Sequence, residues 1–126
     1  MVAAIAAAVL ALRAGVEVRR ARRLGHGAIP DLRRGHLRWA RPAVWMVMVG
    51  FALGPLSMWL FRERRAFATL HAVLGVFVLA LFVTTAVLGR RVEQGRLDVA
   101  GLHGRLGLAA VIAAGAAAVA GFVLLP

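Results

Sequence analysis

Apolar and charged positions follow one another along this chain in long blocks, not in short alternations. Uncharged runs extend from Pro42 to Phe61 (20 residues), from Ala66 to Gly89 (24) and from Leu106 to Pro126 (21). About 20 helical residues cross a hydrocarbon core of roughly 30 Å, so each run has the length of one transmembrane helix. Residues 1 to 16 are also apolar and alanine-rich, broken only by Arg13. A secretory signal would place a basic stretch ahead of its apolar core, and none stands here. The segment therefore reads as a first, shorter span leaving the membrane through Arg13, with Glu17 four residues on along the same face. The expected fold is all-α: one transmembrane domain over residues 1–126, an integral four-helix up-and-down bundle with spans at approximately 1–17, 35–61, 66–89 and 102–125.

The connections carry the charge. Residues 17 to 41 hold Arg19, Arg20, Arg22, Arg23, Arg33, Arg34, Arg38 and Arg41, and are broken by Gly25, Gly27 and Pro30. Asp31 is placed to cap a helix that runs through His36 into the second span, with Pro42 either inside it or opening a separate helix. Gly50 and Gly54 allow close helix approach, and Pro55 suggests a bend near the far end of that span. Arg62-Glu-Arg-Arg65 is a four-residue turn, which makes spans two and three antiparallel neighbours. Arg90, Arg91 and Arg96 follow span three, and Asp98 is a candidate cap for span four.

Composition agrees with this pattern. Of the 126 residues 62% are hydrophobic, and the mean hydropathy is +0.83, outside the range of ordinary soluble domains. The net charge is +11 and all sixteen basic residues are arginine, gathered at the ends of apolar runs. That distribution reads as topology signals and contact with anionic lipid, not as a nucleic-acid surface. The more arginine-rich side, with the first connection, Arg90, Arg91, Arg96 and Arg105, goes to the cytoplasm by the positive-inside rule, leaving both termini outside. Cysteine is absent, which excludes disulfides, thiolate metal sites, iron–sulfur clusters and covalently attached haem.

The chemistry lies with the histidines. His71-Ala-Val-Leu-Gly75 and His103-Gly-Arg-Leu-Gly107 each put an imidazole at the mouth of an apolar run, with glycine one turn on along the same face. An ionisable side chain in a membrane span is a functional-site hypothesis by default. Threading the chain up and down puts His71 and His103 at opposite membrane faces, and His36 on the same side as His103. Helices two and four lie diagonally in such a bundle, so His36 and His103 pair across the core. Two neutral imidazoles suit a b-type haem, with Gly107, and Ala40 four after His36, making room. Arg33, Arg34, Arg38 and Arg105 are near enough in sequence to meet propionates. Zinc wants three or four ligands, and carboxylates are scarce. A general base would lack a paired acid or nucleophile. The plain alternative is that these interfacial histidines bond only backbone or headgroups. His26, in a glycine-rich polar loop, reads as solvated, and Trp39, Trp45 and Trp59 as an interfacial aromatic belt.

The succession Arg34-Gly-His36, Gly54-Pro-Leu-Ser57-Met-Trp59, His71-x-x-Leu-Gly75, Leu88-Gly-Arg-Arg91-x-Glu93-x-Gly95 and His103-x-x-Leu-Gly107 resembles an uncharacterised bacterial membrane family similar to the cytochrome b561-type four-helix core. The resemblance covers nearly the whole chain after residue 19. It implies two b haems, one near each membrane face, with His36 and His103 on the cytoplasmic-side haem and His71 supplying half of the outer one. Related sequences often carry a histidine near the start of the first helix, whereas this chain opens Met1-Val-Ala-Ala. One haem is therefore expected, with a second requiring a ligand from elsewhere. Three readings follow. The first is a small electron-transfer protein of the bacterial inner membrane, exchanging electrons with quinone or a redox protein, alone or as a subunit of a larger redox complex. The second is a haem-free structural subunit. The third is a transporter-like or metal-handling protein, for which only Thr84 and Thr85 offer polar groups at helix centres.

Overall fold

The computed structural model describes residues 2–25, 29–61 and 70–123. They form four α-helices: α1 (Val2–Arg23), α2 (Ile29–Phe61), α3 (Leu70–Glu93) and α4 (Ala100–Val123), with a 3-10 turn at Leu97–Val99 before the last. Among the described residues there is no strand. The expected turn at Arg62–Arg65, the start of span three at Ala66, and His26 lie outside the described residues.

Three segments are long and apolar enough to cross a membrane: Ile29–Ser57, His71–Glu93 and Leu97–Val123. The expected first span is helical, but α1 is not among them. Arg13 and Glu17 interrupt its apolar face, and Arg19, Arg20, Arg22 and Arg23 fill its last turns. Charges at that spacing lower the mean hydropathy of every long window across the helix.

The second expected span is part of a longer element. α2 runs 33 residues without interruption and contains both Pro42 and Pro55. Asp31 falls inside its first turn and pairs with Arg34, three residues on, where a carboxylate favours the positive end of the helix dipole. Asp98 likewise does not cap α4: it lies within the 3-10 turn and takes two hydrogen bonds from Arg96, at 3.1 and 3.2 Å. α1 and α3 each end on a glycine with positive φ, Gly25 at 68° and Gly95 at 93°. There the chain turns out of the helix in a conformation that costs other residues a Cβ clash.

One buried cluster joins all four helices: Ala4, Ala7 and Ala8 of α1, Ala43 and Val47 of α2, Val78 and Phe82 of α3, and Ala110, Ala114 and Ala117 of α4. Small side chains let the helix axes approach closely, which is how helices pack where no hydrophobic effect drives them together. The outward faces are apolar as well, with Trp45 66% and Ile112 63% exposed. No polar or charged residue is buried among those described. An apolar exterior of this kind suits a lipid environment.

The ends hold the polar contacts. Arg33 donates to the backbone carbonyl of Glu93 at 3.3 Å, and Arg41 pairs with the Glu93 carboxylate at 3.6 Å. The start of α2 is thereby tied to the end of α3, at the end of the molecule that carries His36 and His103.

Candidate histidine site

Positions along one stripe of each of three helices follow one spacing, exposed only at Gly50 and Gly54 of α2. In α4 they are His103, Gly107, Ala110, Ala114, Ala117 and Gly121; in α3, His71, Gly75, Val78, Phe82, Thr85 and Gly89; in α2, His36, Ala40, Ala43, Val47, Gly50 and Gly54. Each series steps by four, three, four, three and four residues, the seam of a left-handed helix pair. Histidine opens each seam and glycine closes it eighteen residues later (36 to 54, 71 to 89, 103 to 121). Eighteen residues are about five turns, so both ends lie on one face, about 27 Å apart. α1 carries Ala4, Ala8, Ala11 and Gly15 at the matching later positions.

This repeat positions the imidazoles. His36 meets the backbone carbonyl of Ala11 with Nδ1 at 2.8 Å, His71 that of Ala117 at 3.0 Å, and His103 that of Thr85 at 2.9 Å. A carbonyl oxygen only accepts, so Nδ1 carries the proton in all three, and a neutral imidazole then presents Nε2 as a free lone pair. The residue four after each acceptor is a glycine. A Cβ on Gly15 would stand 3.3 Å from His36 Nδ1, one on Gly89 3.1 Å from His103 Cε1, and one on Gly121 2.7 Å from His71 Cε1.

α2 and α4 bring two of these rings together. The His36 and His103 ring centroids are 6.1 Å apart and their planes nearly perpendicular, at 89°. Imidazole nitrogens bind metals at about 2 Å, so with a ring radius of roughly 1 Å on each side, two imidazoles flanking one ion have centroids about 6 Å apart. His71 does not join them. Its acceptor on α4, Ala117, is fourteen residues from His103, about 21 Å along the helix.

The other expected site residues fall differently. Gly75 faces Phe51, at 3.7 Å, and Gly107 faces the Thr85 methyl, at 3.6 Å. Neither glycine opens space beside its own histidine; the glycines that touch the imidazoles come from neighbouring helices. Arg38 lines an open groove with Arg34, Leu37, Arg41 and Pro42, and Arg105 is exposed. Arg19 was not singled out from sequence, yet its guanidinium occupies the place a side chain on Gly104 would take, next to His103. Its signal was the bare Gly104 at a helix contact, which becomes meaningful only once α1 and α4 are known to meet.

Among the described residues no group of three or more histidines and carboxylates could hold a metal ion. The donor set is therefore two imidazoles, the number that haem iron takes in a six-coordinate b-type centre and too few for a closed zinc site. Beside them Thr85 Oγ1 is buried and has no hydrogen-bond partner among the described residues. The two imidazoles match a haem iron in donor type and number. In comparisons with known proteins, no family model, no curated protein and no solved structure matches the chain.

Proposed function

We propose that the protein is a small b-type haem protein of the bacterial inner membrane, a four-helix up-and-down bundle with both termini outside. His36 and His103 would hold the haem near the cytoplasmic face, and the protein would exchange electrons with quinone or a redox protein. One observation carries this reading: two imidazoles from different helices have ring centroids 6.1 Å apart, each with Nδ1–H held by a backbone carbonyl. Such a backbone partner fixes the tautomer and ring orientation of a metal-ligating histidine and raises its basicity.

A bound haem would supply one-electron chemistry, with a potential set by its axial ligands, burial and nearby charge. This chain's residues do the rest. Ala11 and Thr85 keep the ligand protons on Nδ1. Arg19, close to His103, offers positive charge to an anionic propionate. The test is purification from membranes of cells supplied with haem, followed by a reduced-minus-oxidised spectrum and haem extraction. The expected result is a b-type α-band and about one haem per chain; colourless, haem-free protein would refute the proposal.

A second reading, a haem-free structural subunit of a larger membrane complex, draws on Gly50 and Gly54. Among the described residues nothing lies within 4 Å of a side chain built at either, leaving a face for close approach by another helix.

A further inference from the structure

The three histidines lie on α2, α3 and α4 and lean on the backbones of α1, α4 and α3 in turn, yet their surroundings repeat. Each Nδ1 meets the carbonyl of a residue n on a neighbouring helix (Ala11, Thr85, Ala117), and residue n+4 on that helix is glycine (Gly15, Gly89, Gly121). Cβ atoms on a helix tilt toward its N-terminus. The side chain of n+4 therefore leans over the carbonyl of n, the group its own N–H already engages. Glycine leaves that carbonyl's second lone pair open from the side, and the imidazole enters there.

We propose that Gly15, Gly89 and Gly121 are positioning residues. Each uncovers one backbone acceptor, sets the partner histidine in the Nδ1–H tautomer and aims its Nε2 away from the supporting helix. Glycine costs a helix roughly 1 kcal/mol relative to alanine, so its recurrence at these contacts has a local steric reason. Gly115 on α4, with nothing within 4 Å of an added Cβ among the described residues, marks the contrast. For His36 and His103 the role deepens the haem reading and rests on it. For His71 it stands apart, because His71 lies far from that pair.

The test uses full-length, 15N-histidine-labelled protein in lipid bilayers, purified haem-free, with ring nitrogens assigned from single His→Ala variants. The wild type should give protonated Nδ1 signals for His36, His71 and His103. Gly121→Ala places a methyl 2.7 Å from Cε1 and 2.8 Å from Nδ1 of His71, so its Nδ1–H signal should be lost in favour of Nε2–H while the other two stay. Gly89→Ala, with its nearest approach to His103 at 3.1 Å, should shift that signal with a smaller change. In haem-loaded protein it should also change the low-spin electron paramagnetic resonance spectrum. Gly115→Ala should leave all three unchanged. Should Gly121→Ala fail to fold, Gly15→Ala, meeting His36 at 3.3 and 3.4 Å, carries the same test. An unmoved His71 Nδ1–H in folded Gly121→Ala, or an equal change in Gly115→Ala, overturns the proposal. Absence of haem alone would overturn the functional reading and leave these signals to decide the glycines.

Discussion

At the residue scale, the difference between His71 and His103 comes down to what else each ring reaches. Both have one carbonyl partner and one glycine, but only His103 has a second imidazole, at 6.1 Å between centroids. On the proposed function, His36→Ala and His103→Ala should each lower haem content at least about tenfold, since one of the two imidazoles that would hold the haem is lost. His71→Ala should keep haem content near wild type. Haem extraction and the reduced-minus-oxidised α-band measure all three, and full retention in either of the first two would remove that residue from the ligand set. The histidines were legible in the sequence because an ionisable group in an apolar run stands out. Gly15, Gly89 and Gly121 were not, because each acts on a side chain from another helix. The glycines that the sequence set beside the histidines, Gly75 and Gly107, face Phe51 and Thr85 instead.

At the element scale, α2, α3 and α4 each carry a stripe with a histidine at one end and a glycine at the other, and in α4 every stripe position between them is glycine or alanine. Ala110, Ala114 and Ala117 of α4 are each only 2% exposed, so the helices meet with no spare volume along that stripe. Ala114→Leu should cost about 1–3 kcal/mol through overpacking, where exposed Ile112→Leu should be near neutral. Reversible unfolding in mixed detergent, followed by circular dichroism, makes that comparison. Equal effects of the two would mean that the seam is not the packing face. Element boundaries were largely readable from run length. Two departures have local causes. Asp31 reads as the cap that opens a helix, yet α2 already begins at Ile29, because Pro30 stands in the first turn, where its missing N–H costs no helix bond. α1 is helical but falls outside the set long and apolar enough to span, because four arginines occupy its last turns.

At the scale of the whole molecule, contacts tie the start of α2 to the end of α3 through Arg33, Arg41 and Glu93. The proposed insertion puts that end at the cytoplasmic face. Because the chain has no cysteine, single-cysteine labelling reads this directly. In spheroplasts, Arg96→Cys should resist a membrane-impermeant thiol reagent until the membrane is opened, while Arg64→Cys should react at once. Labelling of both from outside would reverse or dissolve the assigned topology.

The sequence by itself determined the helical class, three of the helices with membrane-crossing length, and the histidines as the groups to explain. Those follow from local run length and from the cost of ionisable groups among apolar neighbours. It also carried the His-to-Gly spacing of eighteen residues in three helices, but without a meaning, since that spacing describes one face of one helix. Only the tertiary structure decided which face meets which. A hydrogen bond from an imidazole to a carbonyl on another helix depends on axial register and interhelical distance, and these are set by the small side chains of both partners together. From that packing come the pairing of His36 with His103, the separate place of His71, Arg19 against Gly104, and glycine as the residue that opens each histidine's backbone acceptor.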